Sequence, residues 1–135
     1  MPDRAAQMNL LLDTHILLWA AFDQNKIASA ARSLIANPAN TLWFSVASLW
    51  EVAIKRGLDR PSFQVEAGVL RAGLLSSGYS ELAVEGRHVL GLSILARHHG
   101  DPFDRILIAQ AAAEGMRFLT ADRMLEAYGG PVLLA

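Results

Sequence analysis

The chain has 135 residues, 53% of them hydrophobic and 19% charged, the size and balance of one folded domain rather than of a disordered or solvating chain. It contains no cysteine, which excludes a disulfide scaffold, a thiolate metal site and a cysteine nucleophile. Twelve Lys and Arg stand against thirteen Asp and Glu, a formal net charge of −1, so a bound polyanion must meet a local basic patch or a metal.

Residues 1–7 read as a tail ahead of a single domain over 8–135. The apolar stretch Met8 to Phe22 has the look of a signal peptide, but Asp13 and His15 interrupt it and no small-residue cleavage site follows. Its longest apolar run, Ile16 to Phe22, is far below the roughly 18 residues of a membrane span. No membrane association and a cytoplasmic location are therefore expected.

In chain order, Met8–Leu12 has the apolar character of a buried strand. Thr14–Phe22 is a helix apolar on nearly every face, covered on two sides or used in self-association. A short helix over Ala28–Ala36 closes at Asn37-Pro38, and Thr41–Ser45 is a strand rich in β-favouring residues. Val46, Leu49, Trp50, Ala53 and Ile54 then fall on one helical stripe ending near Gly57. A loop around Pro61, a helix over Gln64–Leu75, a strand over Ser80–Val84 and a helix over Arg87–His98 follow. Phe103–Glu114 is a helix with Gly115 as its C-terminal cap. Arg117–Thr120 is a strand, Arg123–Tyr128 a short helix and Val132–Leu134 a last strand. This alternation predicts an α/β fold, a mostly parallel central sheet with helices on both faces, whose ligands sit beyond the carboxyl ends of the strands.

Four acids belong at those ends: Asp13 after the first strand, Glu51 in the helix after the second, Asp104 opening the helix 103–114, and Asp122 after the strand 117–120. Each has a local explanation. Asp13 and Asp122 suit N-caps. Ser48-Leu49-Trp50-Glu51 fits a capping box, and Glu51 with Lys55 an i, i+4 ion pair. Glu51 lies off the apolar stripe, so wheel geometry favours a solvated carboxylate. Asp101-Pro102 reads as an N-cap with proline at the first helical position. Gathered at one edge, however, carboxylates 5 Å apart repel by about 3 kcal/mol per pair at an effective dielectric near 20. A divalent cation offsets that, and an oxygen-only ligand set suits Mg²⁺ or Mn²⁺ rather than zinc. Such a site suits phosphodiester hydrolysis. A receiver-like phosphotransfer domain and a non-catalytic module with an acidic docking pocket stay open on these residues alone.

Four segments in order carry a family likeness: Leu11–Trp19, Ser45–Lys55, His98–Ala111 with its His-His-Gly-Asp-Pro-Phe-Asp-Arg core, and Leu119–Arg123. In them the chain resembles the PIN-domain ribonucleases, and among them the VapC-type toxins of toxin–antitoxin pairs. The resemblance implies a PIN-like three-layer fold and metal-dependent endonucleolytic cleavage of RNA. It implies Asp13 and Asp104 as direct Mg²⁺ or Mn²⁺ ligands. Glu51 and Asp122 would bind through water or a second metal, and Thr120 is a supporting hydroxyl. Arg105 and Arg123 are candidate phosphate contacts. His15, His98, His99 and Asp101 have no assigned role, and Trp19, Trp43 and Trp50 read as core or interface residues rather than base-stacking ones. The implied partners are an RNA substrate, a cognate antitoxin and a second copy of the chain, for which the Thr14–Phe22 helix is the candidate face. DNA would be met only through the antitoxin.

Overall fold

The structure, a computed structural model, describes residues 7–58, 63–97 and 100–135. The expected tail, apart from Gln7, lies outside the described residues, as do the turn at Pro61 and both His98 and His99. Five strands form one sheet: β1 (Asn9–Leu12), β2 (Thr41–Ser45), β3 (Ser80–Leu82), β4 (Arg117–Thr120) and β5 (Val132–Leu134). Their order is β3-β2-β1-β4-β5 and every pairing is parallel. The helices are α1 (Thr14–Phe22), α2 (Ser29–Ala36), α3 (Val46–Gly57), α4 (Ala67–Ser76), α5 (Gly86–Leu90) and α6 (Pro102–Glu114).

The period-2 alternation of the strands decides which face each side chain covers. Leu10, Leu12, Phe44 and Leu119 point to one side and pack with Ile16, Leu17, Val52, Leu70 and Leu74 of α1, α3 and α4. Leu11 and Phe118 point to the other and pack with Leu107, Ile108 and Ala111 of α6. The predicted three-layer α/β architecture is therefore the one observed, with the sheet parallel throughout rather than mostly so.

Successive strands run outward from β1 through β2 to β3, and the chain then returns to place β4 on the opposite side of β1. The strand order reverses there, and in parallel sheets a crevice opens beyond the carboxyl ends at such a point. Register pairs Leu12 with Leu119, so Asp13 and Thr120 emerge side by side at that crevice. The Asp13 N–H confirms the alignment by donating to the Leu119 carbonyl at 2.9 Å.

Several expected boundaries shift. Residues 64–66 stay extended, and α4 begins only at Ala67. The helix expected over 87–98 is a short one, Gly86–Leu90, followed by a 3-10 turn at Gly91–Ser93. The physical reason is Arg105, whose guanidinium donates to the carbonyls of Leu92, Leu95 and Ala96, groups that the chain leaves available by stopping the helix. The segment Arg123–Tyr128 is 3-10 rather than α. The α6 boundaries follow expectation: the Asp101 carboxylate accepts from Phe103 and Asp104 N–H, Pro102 sits at the first helical position, and Gly115 ends the helix at φ 68°.

The largest departure is the orientation of α3. Its apolar stripe faces outward, with Trp50 62% exposed and Val46 and Ile54 also exposed. Its buried face is Ala47, Ser48, Glu51 and Val52. The wheel-based expectation of a solvated Glu51 is reversed, and of the core or interface roles expected for Trp50 the core one does not hold. The capping box at Ser48 does not form either, because Ser45 is the N-cap and accepts from Ala47 N–H. Ser48 instead accepts from the Thr14 hydroxyl at 2.9 Å.

Candidate active site

Asp13 stands at the N-cap position of α1 yet makes no side-chain cap hydrogen bond. A capping role therefore does not explain it. Its Oδ2 accepts from the Thr120 hydroxyl at 2.7 Å, and the side chain is nearly buried. Burial raises its pKa above the ordinary 3.8, and the charge of nearby Glu51 raises it further. The Thr120 hydrogen bond, His15 and the Thr14 backbone pull the other way without cancelling the rise.

Glu51 is brought to Asp13 by α3, whose first turn is tied to the start of α1 through Thr14 and Ser48. It is 6% exposed and paired with Lys55 Nζ at 3.0 Å, so the expected i, i+4 ion pair forms around a buried carboxylate. Asp122 is tied to the same hydroxyl as Asp13, since its backbone N–H donates to Thr120 Oγ1 at 3.1 Å. Its Oδ1 also accepts from Met124 N–H, so Asp122 does serve as the cap of the 3-10 turn. Asp13, His15, Trp19, Ala121 and Asp122 together line one cavity of about 290 Å³.

Asp104 lies in the first turn of α6. Two cross-links fix α6 against α3. At one end the Ser45 hydroxyl donates to Gln110 Oε1 at 2.6 Å; at the other the Trp50 and Phe103 rings meet edge-on, centroids 5.1 Å apart. Trp50 precedes Glu51 and Phe103 precedes Asp104, so the ring contact sets the two acid-bearing turns side by side.

The remaining candidates divide. Arg105 is engaged by Tyr128 Oη and three backbone carbonyls, so it serves as a structural clasp. Arg123 is exposed beside Asp122. Trp19 packs against the core and lines the acid cavity, while Trp43 is half-buried and donates to Asn9 Oδ1.

Among the described residues, the group of three acids or histidines with ligand atoms within 4.8 Å of one another is a different one, Glu85, His88 and Glu114. Nothing in the sequence pattern singled it out. Glu114 lies ten residues beyond Asp104 on α6, about 15 Å along the helix. Arg87 pairs with both of its carboxylates. His88 Nδ1 accepts from Glu85 N–H at 3.0 Å, which leaves the proton on Nε2, facing Glu114 at 2.9 Å. With its imidazole lone pair engaged and Arg87 set against both carboxylates, the group is tied together internally by ion pairs and hydrogen bonds. No three of the acids Asp13, Glu51, Asp104 and Asp122 bring their ligand atoms within 4.8 Å of one another.

The PIN domain family model matches residues 10–131, and the chain belongs to that family. Three solved structures share the fold. VapBC2 of Rickettsia felis, bound to a DNA fragment from its promoter, matches with a TM-score of 0.68 at 15% identity, over 95% of this chain and 98% of that one. DNA-bound VapBC from Salmonella typhimurium matches at 0.65 and 17%, over 93% and 97%. VapC20 of Mycobacterium tuberculosis, a toxin that cleaves the sarcin-ricin loop, matches at 0.59 and 21%, over 89% and 95%. No curated protein sequence matches the chain. None of the helices described is long and apolar enough to cross a membrane.

Proposed function

We propose that this chain, a single domain over 8–135, is a metal-dependent endoribonuclease and the cytoplasmic toxin of a toxin–antitoxin pair. The observation that carries the reading is Asp13. A carboxyl group at the switch point of a parallel sheet, buried and raised by a neighbouring acid, yet capping nothing, is costly unless a cation compensates it. Its surroundings suit Mg²⁺ or Mn²⁺, because every candidate donor is an oxygen and no thiolate is available.

Asp13 and Asp104 would hold the ion directly, with Glu51 and Asp122 acting through water. When bound, a divalent ion would supply a water of lowered pKa and charge stabilisation at the phosphate. The chain's own groups do the rest. Thr120 orients Oδ2 of Asp13, which keeps its other oxygen available to the cavity side. Lys55 keeps Glu51 charge-balanced at low exposure, and Glu51 is then able to accept a proton from an attacking water. Arg123, exposed beside Asp122, is placed to meet the RNA backbone.

The partners follow the same surfaces. The α1 helix buries Thr14, Ile16 and Leu17 and packs Leu18, Trp19 and Ala20 against the core, and a homodimer would use the outward stripe of α3 with the apolar groove beside it. That groove, about 400 Å³, is lined by Val46, Trp50, Val89, Leu92, Phe103 and Ile106 among others. An antitoxin would neutralise the acids by presenting a cationic side chain to them, and any DNA contact would be the antitoxin's. The deciding measurement is cleavage of total cellular RNA with Mn²⁺, with EDTA, and by Asp104→Asn. Chelation is expected to abolish cleavage and the substitution to lower it more than about 100-fold with the circular dichroism unchanged. Undiminished cleavage by the chelated protein would reject the mechanism.

A further inference from the structure

The side chains of Ser45, Gln110 and His88 are fully buried, a burden that three polar groups meet only when every donor and acceptor is paired. They are paired, in a directed chain. Ser45 Oγ accepts from Ala47 N–H and donates to Gln110 Oε1 at 2.6 Å. The Gln110 amide nitrogen donates to the Ala83 carbonyl at 3.3 Å and faces His88 Nδ1 at 3.4 Å. His88 Nε2 meets the Glu114 carboxylate at 2.9 Å. The Ala83 carbonyl and the Glu85 N–H fix the orientation of the whole chain. One requires nitrogen on that side of the amide, the other requires a lone pair on Nδ1. No buried side-chain nitrogen or oxygen among the described residues lacks a partner.

The chain joins the elements that carry two of the acids. Ser45 caps α3, six residues before Glu51; Gln110 lies on α6, six residues after Asp104. At the far end Trp50 against Phe103 closes the same pair of helices. One contact is apolar and tolerant of sliding; the other is a hydrogen bond whose length and direction are set.

We propose that Gln110 is a positioning residue that, held by Ser45 and the neutral Nε2–H tautomer of His88, sets the spacing of Glu51 and Asp104. This rests on the nuclease reading of the acids. Protonation of His88 would turn Nδ1 into a donor facing two donors, the Glu85 N–H and the Gln110 amide. Burial and Arg87 hold the imidazole below its ordinary pKa, against the opposing pull of Glu85. The charged groups around it are Glu85 and Arg87 on its own element and Glu114 on α6.

The test uses the whole chain with Gln110→Met, Ser45→Ala and Ser45→Thr, the last retaining the hydroxyl. Mn²⁺ affinity is measured calorimetrically well below each melting temperature, together with kcat and KM for RNA. Nitrogen NMR of the imidazole reads the His88 tautomer from pH 8 to pH 5.5. The expected result is a wild-type Nε2–H tautomer at pH 8. Gln110→Met and Ser45→Ala are expected to weaken Mn²⁺ and lower kcat about 10-fold at nearly constant KM, with Ser45→Thr restoring most of both. Variants that melt earlier but bind Mn²⁺ as the wild type does would overturn the proposal alone, as would an Nδ1–H tautomer. A wild-type chain that binds no Mn²⁺ would overturn the nuclease reading and the proposal with it.

Discussion

Two clusters of acids sit on this fold, and they treat negative charge in opposite ways. Around Glu85 and Glu114 the protein supplies its own cation, Arg87, and the Nε2–H of a neutral histidine. At the β1–β4 crevice Lys55 answers Glu51, while burial pushes the Asp13 carboxyl up despite the Thr120 hydrogen bond and His15. The looser cluster leaves Asp13 with a raised carboxyl that a cation from outside would relieve.

The largest effect that separates the two clusters is thermal. Because the folded-state pKa of Asp13 lies above its unfolded value, its contribution to stability is fully present below about pH 3.8 and is lost as pH rises towards the folded value. At neutral pH the charged form therefore costs stability, and Asp13→Asn is expected to melt higher than the wild type without divalent ions. Saturating Mn²⁺ should reverse the ranking. At one hundred times its dissociation constant a ligand adds about 2.7 kcal/mol, on the order of 10 °C for a chain of this size. Scanning calorimetry of both proteins at pH 7, with and without Mn²⁺, checks this. Equal melting shifts in the two would remove Asp13 from the metal site.

Next in size is the cluster around Arg87. Arg87→Met leaves Glu85 and Glu114 without their shared cation. Arg87 is half-exposed, so solvent screening limits the loss to about 1 kcal/mol. A melting temperature lower by roughly 3–5 °C is expected, with Mn²⁺ still bound by the variant. Loss of Mn²⁺ binding in this variant would move the metal to the cluster at α5 and α6.

Much of this was legible in the sequence, for identifiable reasons. The continuous apolar run at Leu10–Leu12 and the strand–helix rhythm carry the parallel sheet, and Asp101-Pro102 with Gly115 brackets α6 because caps are local chemistry. Asp13 and Asp122 are readable because each lies within two residues of a strand's end. What was not legible is long-range. Glu51 is buried by the way α3 is pinned through Ser45 and Ser48 to partners 65 and 34 residues away, which no helical wheel contains. The early end of α5 depends on Arg105 reaching back to carbonyls some ten residues earlier. His88 and Gln110 carried no local signal, since their meaning exists only once α5 and α6 are packed together.

The inverted α3 leads to the smallest expected effect on the isolated domain. An amphipathic helix whose apolar stripe faces solvent conflicts with the hydrophobic effect unless that stripe is covered in the working assembly. Trp50 is the largest side chain on it, more than half-exposed and leaning on Phe103. Trp50→Asp places a charge on that surface while leaving the buried face of α3, Ala47, Ser48, Glu51 and Val52, untouched. The melting temperature of the monomer is then expected to change by only about 2 °C, because surface substitutions usually move stability by less than 0.5 kcal/mol. The self-association of the chain should weaken by at least about 10-fold, since a buried aromatic anchor at an interface is typically worth 2 kcal/mol or more. Analytical ultracentrifugation of the two proteins over a hundred-fold range of concentration separates these effects. An identical monomer–dimer equilibrium in both would return the outward stripe to the status of an ordinary exposed surface. A monomeric variant that still binds Mn²⁺ as the wild type does would place recognition of the partner copy and of the ion on opposite faces of one helix.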